Sequence, residues 1–132
     1  VADLGRMIEG KNFDSRGSLI VGHDGRVYAL MRVDNETKFG TGYLHHLVSH
    51  DPATGKMRDH GVLGVRNPDW FDFSPGKDGK PKPWTHGFHK LPDGTWTPLH
   101  VHMALHMARD GTLYATSIYP FTLLRIGPTD YR

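Results

Sequence analysis

Asp24-Gly25-Arg26-Val27-Tyr28-Ala29 returns as Asp110-Gly111-Thr112-Leu113-Tyr114-Ala115, at an offset of 86 residues (110 − 24). Each copy reads as a tight Asp-Gly turn opening a run of apolar and β-branched residues, the pattern of a β-hairpin. A second echo lies upstream of each copy: Val1-Ala2-Asp3-Leu4-Gly5-Arg6-Met7 against Met57-Arg58-Asp59-His60-Gly61-Val62-Leu63, with Asp-x-Gly at the same place. Two echoes in the same order predict an internal repeat, which outranks any element-by-element assignment. A weaker third match sets Val48-Ser49-His50-Asp51-Pro52 against Leu124-Arg125-Ile126-Gly127-Pro128, strand endings that run into a Pro turn.

The expected strand order is D at 1–7, A at 17–22, B at 26–33, C at 43–50, then D at 57–64, A at 101–107, B at 112–118 and C at 121–126. Asp51-Pro52-Ala53-Thr54-Gly55-Lys56 supplies a polar reversal between the first C and the second D. Helical periodicity is absent, so the chain reads as all-β. Asp3 to Asp24 is 21 residues and Asp59 to Asp110 is 51, which places an insertion of 30 within residues 65–100. Its six prolines and four glycines predict mostly loop, with a small hairpin at Leu91-Pro92-Asp93-Gly94-Thr95-Trp96.

A strand, Asp-Gly, x-Val-Tyr-Ala, a strand ending in Asp-Pro-Ala-Thr-Gly-Lys and a following Asp-x-Gly strand together resemble the four-stranded blades of β-propellers, in the broad kelch, NHL and YVTN-like manner. The resemblance covers residues 1–64 and 101–128. It implies about two four-stranded β-propeller blades with a loop-rich insertion, in one segment over 1–132. Propellers close with roughly 4–8 blades, and a blade is covered on both faces by its neighbours, so two alone would leave large apolar surfaces in water. The resemblance therefore implies part of a larger propeller or an oligomeric ring. Its partners would be other propeller blades, from copies of itself or from the rest of a longer protein. A first strand D and a last strand C also predict that pairing across chains would complete a blade and remove exposed edges.

At 132 residues the chain is one domain's worth of material. Hydrophobic residues at 37%, charged residues at 23% and a mean hydropathy of −0.50 fit a globular domain. Apolar runs fall short of the roughly 20 residues of a spanning helix, and the first residues lack the basic start and apolar stretch of a signal peptide. Cysteine is absent, which excludes disulfides, thiolate zinc sites and a Cys nucleophile. Sixteen Lys and Arg against fourteen Asp and Glu make the pI of 9.0 a slender excess of base, so neither nucleic acid nor a membrane is the expected partner. Ten histidines are the compositional oddity.

The second A strand is His100-Val101-His102-Met103-Ala104-Leu105-His106-Met107. Alternation puts Val101, Met103, Leu105 and Met107 on one face and His100, His102 and His106 on the other. His100 and His102, beside the insertion, are the candidate catalytic residues; the bland reading makes all three imidazoles satisfied structural groups in a wet channel. Should the insertion fold back, His86, His100 and His102 would offer a transition metal three imidazoles with open positions. On strand C, His50 falls where the other copy has Ile126, which favours a packed role, and His45 or His46 is expected to face solvent. His23 and His60, beside turns, read as surface residues.

The insertion concentrates Trp70, Phe71, Phe73, Trp84, Phe88 and Trp96 beside charged residues. With Trp84, His86, His89, Trp96 and Arg16 as ligand-binding residues, such a face would take a glycan or a protein partner; the alternative is a miniature core pinning a long loop. The leading function is a binding or assembly module working through this face. The second is a polysaccharide lyase or hydrolase, in which His100 or His102 removes a proton alpha to a uronate carboxylate that Arg16 or Lys90 neutralises. Some polysaccharide lyases are propellers with His near the channel, and this strand is similar in character. The third is structural filler of a larger protein whose active site lies on other blades.

Overall fold

The computed structural model describes residues 1–10, 15, 18–36, 43–66, 77–79, 88–98, 100–119 and 121–131. Among them run β1 (Leu19–Val21), β2 (Val27–Asp34), β3 (Tyr43–Asp51), β4 (Lys56–Val62), β5 (Phe88–Lys90), β6 (Trp96–Pro98), β7 (His100–Met107), β8 (Leu113–Tyr119), β9 (Phe121–Ile126) and a 3-10 turn, Pro128–Asp130. The protein is all-β. Every pairing is antiparallel, in sheets ordered β1-β2-β3-β4, β5-β6 and β7-β8-β9. Central β2 is covered on both faces, which is why it reads Val-Tyr-Ala-Leu-Met without alternation.

The two larger sheets share one register. Leu19, Ile20 and Val21 lie opposite Ala29, Tyr28 and Val27, and Leu105, His106 and Met107 lie opposite Ala115, Tyr114 and Leu113. On the other side of the central strand, Tyr28↔Ser49 and Ala29↔Val48 answer to Tyr114↔Arg125 and Ala115↔Leu124. The hairpin turns agree as well. Gly22 N–H donates to Arg26 O at 2.8 Å and Ala108 N–H to Thr112 O at 2.8 Å, while Asp24 and Asp110 accept from the Arg26 and Thr112 amides at 3.2 and 2.9 Å. Gly25 at φ +78° and Gly111 at +85° hold the left-handed position that such a turn needs.

The core sits between these sheets. Tyr28, Leu30, Leu47 and Leu63 from the first meet Leu105, Met107, Leu113, Ala115 and Leu124 from the second, with Tyr131 packed among them. The other face of the first sheet buries Ala29, Met31, Val33 and Val48 beneath Ile8. Edge strands β1 and β7 end close together: a Cβ on Gly22 would lie 2.8 Å from Met107 Cε. Within the insertion, the expected hairpin forms as β5-β6 and is sewn to the segment after β4, Val65 N–H donating to Trp96 O at 2.6 Å and Trp96 N–H to Val65 O at 2.9 Å.

Three expectations are corrected. Residues 1–7 form no strand, since a strand exists only through a ladder and they belong to none among the described residues; residues 1–6 lie exposed. The second sheet accordingly has three strands rather than four. The first A strand shrinks to Leu19–Val21. Leu47 is fully buried at the centre of the sheet interface, so Leu47→Ala should lower stability by about 2–5 kcal/mol, read as a lower urea midpoint with an unchanged slope.

Candidate functional site

The histidine strand differs from its expected geometry. Along β7 the ladder to β8 shifts between His100 and Val101 and again between Val101 and Ala104. A bulge interrupts the two-residue period, so alternation alone does not phase His100 and His102 with His106. Beyond the bulge the alternation is regular: Leu105 and Met107 are buried and His106 is exposed. For His89, His100 and His102 the description covers the backbone alone, and Arg16, Trp84 and His86 lie outside the described residues. The metal trio of His86, His100 and His102 therefore falls outside them too; among the described residues no three His, Asp or Glu side chains converge as metal ligands. Trp96 is half-buried on β6, with Lys90 Nζ 5.9 Å from its ring centroid. Phe88 and Leu91 of this hairpin are buried.

The other histidines sort by strand position. His45 and His50 are buried on β3, and His46 pairs with Asp59, Nδ1 to Oδ2 at 2.9 Å. His60, expected at the surface, is instead half-buried between the sheets. Its ring stacks on Tyr28 at 6.3 Å and meets Tyr131 edge-on at 5.9 Å, and its Nε2 lies 2.8 Å from Ser49 Oγ. The signal was present in the sequence, since the echo sets His60 opposite an apolar residue, Leu4. Burial, reinforced by the nearby charge of Arg58, holds the His60 pKa below the ordinary imidazole value. Tyr28 donates to Asp24 Oδ2 at 2.6 Å. Burial first, and then this carboxylate, push the Tyr28 phenol up to about 12. Burial alone would raise the Asp24 carboxyl, but the Tyr28 hydroxyl, the Arg26 amide and the Arg26 charge together bring it below the usual range.

A cleft of about 600 Å³ runs beside β9. Residues 122–126 line it without a break. A strand seen face-on offers alternate residues, so an unbroken run means that its edge faces the cleft. Residues 61–66 form a second stretch of lining, with Leu47, Phe88 and Tyr131 as apolar contributors. Arg66, Arg125, Asp93 and Asp130 bring charges of both signs; Arg66 Nη2 and Asp130 Oδ1 are 3.6 Å apart. Asp93 is held below the usual carboxylate range by hydrogen bonds from the Thr95 hydroxyl at 2.7 Å and the Thr95 amide at 2.9 Å. Among the described residues nothing pairs with the outer side of β9. That makes the cleft suited to an extended backbone, which can hydrogen-bond the edge while its side chains reach the apolar and charged lining.

Comparison of the chain with protein-family models, with curated proteins and with solved structures finds no match.

The His60 ring gives stability a pH dependence of fixed sign. An imidazole whose folded pKa lies below its unfolded value of about 6.5 contributes fully above that value, and the contribution is lost as pH falls below it, because the unfolded chain takes up a proton that the folded ring resists. Urea midpoints measured from pH 7.5 downward should fall more steeply in the wild type than in His60→Gln, so that the gap between the two narrows with acidification.

Proposed function

We propose that the chain is a pair of successive β-propeller blades serving as a binding and assembly module, whose binding element is the open edge of β9. The observation that carries this reading is the common register of the two sheets, at an offset of 86 residues for β1-β2 against β7-β8 and of 76 for β3 against β9, one sheet with four strands and the other with three. β3 carries β4 as its outer neighbour, and β9, at the matching place, has the cleft. A partner segment in extended conformation fits as a fourth strand, with main-chain hydrogen bonds giving affinity and the flanking lining giving selectivity. Charges of both signs favour a peptide over a uniformly charged polymer. The β5-β6 hairpin contributes Asp93 and Thr95 to this cleft, and its Trp96 and Lys90 extend the recognition surface toward the insertion.

Strand addition can be tested within one molecule. A second copy of residues 56–63, joined after Arg132 by a flexible Gly/Ser linker, places the strand that completes the first sheet within reach of β9 at high effective concentration. In dilute solution the outer-edge amides of β9 should then exchange at least tenfold more slowly than in the parent chain, and the melting temperature should rise. Unchanged exchange along β9 would reject the edge as a strand acceptor.

A further inference from the structure

Building on the blade-pair reading, we infer that this chain associates head to tail with a second copy of itself, the first sheet of one copy packing on the second sheet of the next. Among the described residues, the large hydrophobic side chains left exposed are Val1, Leu4, Leu19, Val21 and Leu123. Three of them occupy the positions that build the internal interface one repeat away. Leu19 matches Leu105, Val21 matches Met107 and Leu123 matches Leu47 by ladder register. The exposed members show 63%, 68% and 64% of their surface, and their matches 6%, 6% and 2%. The packing between the two sheets of one chain is thus prepared a second time, with one half on the far side of the first sheet and the other on the far side of the second. Apolar positions repeated so closely and left in water mark an interaction surface.

The remaining two, Val1 and Leu4, lie in the segment that echoes β4. Its backbone already carries the β4 signature: Asp3 Oδ1 accepts from Gly5 N–H at 2.9 Å with Gly5 at φ +88°, and Asp59 Oδ1 accepts from Gly61 N–H at 2.8 Å with Gly61 at φ +94°. Outside every described ladder, this stretch is shaped as the strand that the β9 edge lacks. Within its own molecule it leads into Ile8, which is buried against Ala29, Met31, Val33 and Val48 on the first sheet's far face, away from β9. The strand therefore joins the second sheet of a neighbouring copy, whose Leu123 face covers Leu19 and Val21 at the same time.

The two contacting surfaces differ, so each added copy leaves one of each free until a ring closes. With two blades per copy and roughly 4–8 blades per propeller, closure would take roughly two to four copies. The blades of a longer polypeptide would offer similar chemistry, which is why the test uses the 132-residue chain alone.

Light scattering coupled to size exclusion, run at rising concentration, should give the wild type a mass that is a multiple of 14.9 kDa. Leu19→Asp spoils one surface and Leu123→Asp the other. Each variant alone should be monomeric with an unchanged circular dichroism spectrum, and an equimolar mixture should form a dimer, since each retains the surface that the other needs. Val21→Lys replaces Leu19→Asp should the latter misfold. A wild type that stays monomeric to its solubility limit, single variants that associate like the wild type, or a mixture that stays monomeric would each overturn self-association. Leu47→Asp separates this from the underlying reading. It strikes the interface inside the chain and should abolish folding; a folded Leu47→Asp chain would overturn the blade pair itself, whereas its unfolding beside a monomeric wild type would overturn only the second copy.

Discussion

The contact between the two larger sheets, with Tyr28, Leu30 and Leu47 on one side and Leu105, Leu113 and Leu124 on the other, is the constraint from which the remaining features follow. A short antiparallel sheet has little independent stability, and each of these gains it by burying one apolar face against the other. The turns, the strap at the end of the chain and the cleft are all located by this contact. It also leaves each sheet with a second face that the chain covers unequally: Ile8 lies over part of the first sheet, while on the second Leu123 stands in solvent.

Polar groups at the rim of that interface give it a fixed geometry rather than much energy. Tyr28 sits in the core with its hydroxyl tied to Asp24, and Asp24 in turn orders the Arg26 amide of its own turn. The Arg26 ion pairs with Asp24 and Asp51, at 3.6 and 3.8 Å, are solvated and worth little. From the second sheet, the 3-10 turn brings Tyr131 back so that its hydroxyl donates to Gly111 O and its ring meets Tyr28 at 5.6 Å. One aromatic pair thus joins the end of the second sheet to the turn region of the first. His60 completes the group, and its low affinity for protons follows from being placed between two phenols rather than in water.

Much of this fold was legible because turn chemistry is local. Asp-Gly at 24–25 and 110–111, the Asp51-Pro52 reversal and the small hairpin before Trp96 all turn where the residues require it. The two copies of the Tyr-Ala strand also keep matching neighbours, Ser49-Val48 and Arg125-Leu124, which is the stretch the third echo aligned. What stayed illegible depended on partners. Residues 1–7 carry a strand's sequence but have no ladder described for them, and His60 looks like a turn residue until the second sheet is packed beside it. Alternation is a rule of unbroken ladders, and β7 carries two register shifts before Ala104, so the ladder alone does not phase His100 and His102 with His106. Arg16, Trp84 and His86 lie outside the described residues, so their roles rest on sequence alone.

Those two shifts in β7 also separate the strand into parts that answer to different demands. From Ala104 onward, each position is tied to the core through Leu105 and Met107, and a slip of one residue would turn that apolar pair out to solvent. Residues 100–103 lie across the irregularity, where His100 is registered to Tyr119 and Val101 to Ser117. The packed half is thus held by its own ladder and core contacts and takes no phase from the irregular stretch before it.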